Sequence, residues 1–192
     1  SNYTVTWIGT KHGIENKIVN DKRISFKYLN SSGIRGKSIF HKIKGSLNLF
    51  RSIIQSLIHI MRGKPIFMIG FGGYITVPVS IAAFIMRVPV YAHESNSIPG
   101  TANKINNLMS KRTFQTFPET FSKNKKIVHS GNPIHASFSN ITQPEVKYKN
   151  RKEILNILIF GGSQGARFLN QVIPTCVSKF GNKFRIKHIS GN

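Results

Sequence analysis

Short apolar, β-rich runs alternate along this chain with stretches of helical period. The runs fall at Val5–Ile8, Ile24–Tyr28, Ile66–Ile69, Val88–Ala92, Thr113–Thr116, Ile127–His129, Ile154–Phe160 and Phe184–Ile189. Helical patterns occupy Gly13–Val19, Ser38–Met61, Val77–Met86, Thr101–Ser110 and Ala166–Phe180. Short strands that alternate with helices through short loops predict a parallel sheet covered by helices on both faces. The turn Gly131-Asn132-Pro133 and the aperiodic polar stretch Ser139–Lys152 predict a break, after which a strand and a glycine loop open a second α/β unit. The expected division is a first domain over 1–138, a linker over 139–152 and a second domain over 153–192. Val5–Ile8 reads as a buried strand almost at residue 1, an opening so abrupt that it predicts a missing start. No internal repeat of fixed period and no low-complexity segment interrupts the pattern.

Composition narrows the classes. With 40% hydrophobic and 10% aromatic residues the 192-residue chain can bury a core, which excludes a disordered tail. Lys and Arg number 28 against 6 Asp and Glu, a formal charge of +22. Such a field attracts nucleic acid, an anionic bilayer or phosphorylated substrates. AT-rich coding drift toward Lys, Asn and Ile would leave the same excess as solvated surface, so charge alone does not choose. Cys176 is the single cysteine, which excludes an intramolecular disulfide and suits a reducing compartment; it is expected as a small buried helical residue. The histidines lack metal-ligand spacing and no acidic cluster offers a cation cage, so no metal is expected. No run reaches the roughly 18 apolar residues of a membrane-spanning helix, and no basic-then-apolar leader opens the chain.

Three features could carry chemistry. Gly70-Phe71-Gly72-Gly73-Tyr74 and Gly161-Gly162-Ser163-Gln164-Gly165 each lie between a strand and a helix. Glycine lets the backbone approach a ligand closely, and a helix N-terminus offers unpaired N–H groups to a phosphate. Neither loop has dinucleotide or Walker spacing, and each is also readable as a plain strand-to-helix turn. For the first, Thr76 is the expected N-cap, with Pro78 in the first turn. His93-Glu94-Ser95-Asn96 follows the run Val88–Ala92, where the carboxyl ends of parallel strands face a ligand crevice. These groups could orient sugar hydroxyls or exchange protons, or could cap the next helix. In Ser38–Met61 the stripe Ile43, Leu47, Phe50 and Ile54 is widened by Ile53, Leu57, Ile58 and Ile60 and flanked by Lys37, Lys42, Lys44 and Arg51. That pattern fits either a core helix with a basic solvated face or one that docks on an anionic membrane.

Taken in order, the segments resemble the MurG family of UDP-N-acetylglucosamine:lipid-linked muramyl-pentapeptide transferases. Trp7-Ile8-Gly9-Thr10 with Gly13 and Glu15 resembles the family's second strand and following helix. Ser32-Gly33-Ile34-Arg35-Gly36-Lys37 resembles the loop before its membrane-facing helix. Gly70–Tyr74 resembles its middle glycine loop and His93–Asn96 its His-Glu-x-Asn motif. Gly131-Asn132-Pro133 resembles the end of its first domain, and Gly161–Ala166 the loop opening its second. The likeness is collinear over essentially the whole chain.

The resemblance implies a GT-B fold, two Rossmann-like parallel-sheet domains with the second only begun here. It implies an inverting transfer of N-acetylglucosamine from UDP-N-acetylglucosamine to the 4-hydroxyl of undecaprenyl-pyrophosphoryl-MurNAc-pentapeptide, in peptidoglycan synthesis, without metal or other cofactor. Carried over residue by residue, Ser163 with Gly162 and Gln164 would meet the donor, as would Asn96, with Glu94 beside it as a helper. Gly72, Gly73 and Tyr74 would seat the acceptor pyrophosphate. Ile43, Leu47, Phe50 and Ile53, with Phe84, would form a membrane patch on the cytoplasmic face of the bacterial inner membrane. The family's proposed catalytic histidine would fall before residue 1 and its uridine-reading helix after residue 192. Where the family carries Arg after Gly-Asn-Pro-x, this chain has His135, and an imidazole does not offer a guanidinium fork to a nucleotide. Other readings are another UDP-sugar enzyme on the same scaffold, an epimerase or glycolipid transferase, or a non-functional relic. A nucleic-acid partner is not expected, because most of the 14 phenylalanines lie in apolar segments rather than among exposed Lys and Arg.

Overall fold

The computed structural model describes residues 3–11, 24–30, 39–149, 154–162, 166–179 and 184–191, with side chains left aside at 39–44 and 139–140. Expected features at 12–23 and 31–38, including Gly13, Glu15, Gly33 and Arg35, lie outside the described residues, as do Ser163 and Gln164. The chain divides into two compact units, Ser1–Pro133 and Ile134–Asn192.

In the first unit, β1 (Val5–Gly9) and β2 (Ile24–Tyr28) form a parallel pair. A long helix α1 (Ile39–Gly63) follows. Then come β3 (Met68–Gly70), α2 (Thr76–Ile85), β4 (Val90–Glu94), α3 (Thr101–Met109), β5 (Arg112–Gln115) and β6 (Ile127–His129). The strands β3 to β6 lie in that order in one sheet, all parallel. Their carboxyl ends therefore share one edge, and the loops 71–75, 95–100, 116–126 and 130–133 leave from it. In the second unit, a 3-10 turn (Ala136–Asn140) and a short helix α4 (Pro144–Tyr148) precede a parallel pair, β7 (Leu155–Phe160) and β8 (Phe184–Ile189), with α5 (Arg167–Val177) between them in sequence. The end of the 3-10 turn and all of α4 fall in the stretch read as aperiodic linker; a Pro at the first helical position starts α4 where no apolar period announces it. Cys176 is exposed, not buried as expected, because no neighbour covers that side of α5 among the described residues.

The core of the first unit is the contact of α1 with α2, centred on Ile60, Ala82, Ala83 and Val90 with Leu57, Met68 and Val88 packed around them. On α1 the buried face also carries Ser52 and Ser56. Their hydroxyls bond back one turn, Ser52 Oγ to Asn48 O at 2.8 Å and Ser56 Oγ to Ser52 O at 2.7 Å, so neither hydroxyl is left unsatisfied by burial. On α2, which packs against α1, the small residues Ser80, Ala82 and Ala83 are likewise fully buried. The larger apolar residues Leu47, Phe50, Ile54, Ile58 and Met61 point outward instead, at helical spacing. Ile53, expected in the outward stripe, is half-buried at the margin, and Ile54 takes its place; the side chain of Ile43 lies outside the described set.

Helix α2 ends in a Schellman arrangement that sets up β4. Arg87 adopts a left-handed φ of 57°, its N–H bonds Phe84 O, and the N–H of Val88 reaches Ala83 O. Val88, the residue after the turn, packs on the cluster that holds Ala83. The chain is thus reversed in three residues and delivered into the central strand.

Candidate functional site at the carboxyl edge of the sheet

His93 and Glu94 do not follow the strand, as the apolar run ending at Ala92 implied; they are the last two residues of β4 and are buried, Glu94 with only 2% of its surface exposed. Polar residues at a strand's end read from sequence as loop, but here the ladder with β5 continues through His93↔Phe114 and Glu94↔Gln115. A buried carboxylate must be fully hydrogen-bonded, and this one is. Oε1 accepts from the backbone N–H of Asn96 (2.9 Å) and from its Nδ2 (2.8 Å). Oε2 accepts from the N–H of Gly100 (2.9 Å) and from Asn103 Nδ2 (3.0 Å). Burial would raise the carboxyl pKa, but the bonds from Asn96, Asn103 and Gly100 outweigh it and hold the group below the ordinary carboxylate range. All four donors are neutral, so Glu94 remains an anion that organises the turn 95–100.

That turn is tied to its neighbours as well. His93 Nε2 lies 3.1 Å from Gly131 O, and Ser95 Oγ donates to Asn132 Oδ1 at 3.3 Å. Thr120 Oγ1 reaches Asn96 O at 3.2 Å, and Gln115 Oε1 accepts from the N–H of Phe121. Asn96 itself is exposed at the edge.

The Gly70–Tyr74 loop lies at the same edge, at the end of the adjacent strand β3. Gly72 and Gly73 have φ of 88° and 80°, a conformation that disfavours any side chain. A Cβ on Gly72 would come within 3.1 Å of Asn103 Nδ2, whereas one on Gly73 would meet nothing within 4 Å. Gly72 is thus packed onto the protein while Gly73 borders open space. The N–H groups of Gly72, Gly73 and Tyr74 have no hydrogen-bond partner among the described residues. Thr76 is not the N-cap expected of it: it is the first residue of α2, after Ile75, and its hydroxyl donates to Gly73 O at 2.8 Å. The loop therefore presents unpaired donors and the N-terminus of an apolar helix, which suits an anion.

The structure thus gathers Glu94, Asn96, Gly72, Gly73 and Tyr74 along one sheet edge. Gly162 follows β7 in the second unit with open space where a side chain would project. His135, also in that unit, is exposed and uses Nδ1 to cap the 3-10 turn, accepting from Ser137 N at 3.3 Å. Leu47, Phe50 and Phe84 are exposed on α1 and α2. Near Phe84, a groove of about 650 Å³ is lined by Ile85, Leu108 and Met109, with Arg87 and Lys111 beside them. No group of three His, Cys, Asp or Glu able to hold a metal occurs among the described residues, and no described helix is long and apolar enough to cross a membrane.

Sequence reasoning passed over Asn103 and Asn106, which are buried on α3 while Ile105 and Leu108 on the same helix are exposed. Two asparagines at i and i+3 in a nine-residue helix were the available signal. Because the folded pKa of Glu94 lies below its unfolded value, the stability it confers is complete above the ordinary carboxylate range. It is lost as pH falls through the depressed value. Glu94→Gln puts an amide N–H₂ against Gly100 N–H or Asn103 Nδ2 and is expected to cost about 2 kcal/mol. Denaturant unfolding across acidic pH is expected to show that cost at neutral pH and a smaller loss of stability on acidification than in wild type.

The model of the glycosyltransferase family 28 N-terminal domain matches residues 1–115, and that of the family 28 C-terminal domain matches residues 156–192. A UDP-N-acetylglucosamine--N-acetylmuramyl-(pentapeptide) pyrophosphoryl-undecaprenol N-acetylglucosamine transferase of Haemophilus influenzae is 34% identical over 98% of this chain and 53% of its own length. A Coxiella burnetii protein of the same name is 37% identical over 92% of this chain and 49% of its own. The crystal structure of Acinetobacter baumannii MurG superposes with a TM-score of 0.78 at 26% identity, over 98% of this chain and 52% of that one. A Neisseria meningitidis UDP-GlcNAc 2-epimerase shares the fold, with a TM-score of 0.58 at 14% identity, over 96% of this chain and 56% of that one. The chain spans about half the length of the curated relatives it matches. Its architecture is α/β of GT-B type, a Rossmann-like N-terminal part followed by the opening of the C-terminal one, and the chain belongs to glycosyltransferase family 28.

Proposed function

We propose that the protein carrying this chain moves N-acetylglucosamine from UDP-N-acetylglucosamine to the 4-hydroxyl of undecaprenyl-pyrophosphoryl-MurNAc-pentapeptide, with inversion at the anomeric carbon. The observation that carries this reading is the open Gly72–Tyr74 loop beside the Asn96 turn. A diphosphate needs several N–H donors that are not already spent and a backbone it can approach closely, and this loop supplies both. Gly72, Gly73 and Tyr74 would hold the acceptor pyrophosphate at the end of β3. Asn96, two residues beyond the strand end of β4, would contact the donor. Gly162, Ser163 and Gln164, in the loop after β7, would meet the UDP-sugar, and His135 would stand where relatives of this kind place an arginine. Glu94 serves this site by holding Asn96, since both its oxygens are occupied. In an inverting displacement a base takes the proton of the attacking hydroxyl while fixed N–H groups stabilise the departing diphosphate. The domain roles follow: residues 1–138 face the acceptor and membrane, 139–152 link, and 153–192 begin the donor half.

An acceptor with a polyprenyl tail is reached only at a membrane. The outward stripe Leu47, Phe50, Ile54, Ile58 and Met61 would supply a face for peripheral docking on the anionic cytoplasmic leaflet of the inner membrane, and the exposed Phe84 would add to it. Arg51 and Arg62 on the same helix supply charge for anionic headgroups.

The reading is tested with the full-length gene product that contains these residues. Labelled sugar is expected to pass from UDP-N-acetylglucosamine to the muramyl-pyrophosphoryl lipid and only in its presence; consumption of the donor without lipid would instead indicate an epimerase or hydrolase. Ser163→Ala is expected to raise the donor KM. Phe50→Glu is expected to weaken co-sedimentation with phosphatidylglycerol vesicles about tenfold, because it removes a large apolar anchor and adds repulsion. Equal vesicle binding by Phe50→Glu and wild type would exclude α1 as the docking face.

A further inference from the structure

Beneath the Gly70–Tyr74 loop lies a polar floor that reaches the Glu94 turn. The Gly73 carbonyl accepts two hydrogen bonds from Thr76, one from the backbone N–H at 3.1 Å and one from Oγ1 at 2.8 Å. Thr76 Oγ1 in turn accepts from Asn106 Nδ2 at 2.7 Å. Asn106, with no exposed surface, also approaches Asn103 Oδ1 at 3.4 Å. Asn103 Nδ2 donates to His93 O at 3.0 Å as well as to Glu94 Oε2. The loop rests on these same side chains sterically. A Cβ on Gly70 would lie 3.3 Å from Thr76 Cβ and 3.5 Å from Asn106 Nδ2, and one on Gly72 would lie 3.1 Å from Asn103 Nδ2.

The consequence is directional. In a trans peptide the carbonyl and the following N–H point opposite ways. Holding the Gly73 carbonyl inward against Thr76 therefore turns the Tyr74 N–H outward, on the open side of the loop. Without the hydroxyl, the Gly73 carbonyl would keep only the longer bond from the Thr76 N–H, and the left-handed Gly72-Gly73 pair would offer little resistance to a tilt of that peptide plane.

We infer that Thr76, Asn106 and Asn103 are positioning residues that aim the Tyr74 N–H at the bound anion and couple this aim to the Asn96 turn through Glu94. The inference rests on the proposed reading of the loop as the acceptor's diphosphate seat. Its elements touch no substrate; they act through the peptide plane they fix.

The test uses the full-length protein labelled with carbonyl-¹³C glycine and ¹⁵N tyrosine. Gly73-Tyr74 is the only Gly-Tyr step in residues 1–192, and the signal lost in Tyr74→Phe assigns this peptide in the full-length protein. Thr76→Val removes the hydroxyl with little change of shape, and Thr76→Ser keeps it. Asn106→Leu removes the donor on the far side of the hydroxyl. The Gly73–Tyr74 signal is expected to shift in Thr76→Val and in Asn106→Leu and to stay in place in Thr76→Ser. In kinetics, Thr76→Val is expected to raise the acceptor KM about tenfold, the effect of one lost hydrogen bond. The donor KM and kcat are expected to stay near wild type, and Thr76→Ser to restore the acceptor KM. An unmoved signal in Asn106→Leu, or Thr76→Ser as impaired as Thr76→Val, would overturn the inference. Signals that move as expected in a protein that transfers nothing to the lipid would leave the positioning floor standing and remove the proposed acceptor.

Discussion

A carboxylate taken out of water must find a full set of donors, and the site of this protein is arranged around one that does. Glu94 receives four hydrogen bonds from neutral groups, two on each oxygen, and no cation among the described residues neutralises it. Each donor belongs to an element that must be in register for the bond to form: Asn96 in the turn, Gly100 at the start of α3, Asn103 one turn further on. The strand end, the turn and the helix start are thereby fixed together. Through Asn103 and Asn106 the same network reaches under the glycine loop of the neighbouring strand, so two loops that differ in sequence and role share one support.

The other constraint is the placement of helices whose polar and apolar faces are exchanged. On α1, Ser52 and Ser56 are buried while Leu47, Phe50 and Ile54 are exposed; on α3, Asn103 and Asn106 are buried while Ile105 and Leu108 are exposed. For α1 the exchange works because a serine that bonds back along its own helix presents little more than a methylene to its surroundings, which lowers the cost of burying it. For α3 it works because the Nδ2 groups of the asparagines find acceptors in His93 O, Glu94 Oε2 and Thr76 Oγ1, although Asn106 Oδ1 is buried without a partner among the described residues. Large apolar groups left outside are costly in water unless something covers them, and a membrane surface is the covering the proposed acceptor requires.

Much of the architecture was legible in the chain. The strands Ile24–Tyr28, Ile127–His129 and Phe184–Ile189 stand where the apolar runs put them, and α1, α2, α3 and α5 begin within one residue of their expected starts. Periodicity reports burial well when the buried partner is apolar. It failed at His93 and Glu94, which look like loop residues until the donors of Asn96, Gly100 and Asn103 are brought around them. It also failed to choose the face of α1, because hydropathy counts a serine hydroxyl as polar and does not register the carbonyl one turn back that satisfies it. The glycine loop was readable as a candidate anion site from Gly72 and Gly73 alone. Its support was not, since Asn106 lies 30 residues from Thr76 and only the fold joins them.

The central claim is that the donors of the Gly72–Tyr74 loop seat the acceptor diphosphate. The most direct measurement is a crystal structure of the full-length protein with a short-chain analogue of the muramyl-pyrophosphoryl lipid. Phosphate oxygens within hydrogen-bond distance of the Gly73 and Tyr74 N–H groups, with the muramyl 4-hydroxyl on the side of Asn96, are the predicted result. A diphosphate bound elsewhere, with this loop facing only solvent, would contradict the account.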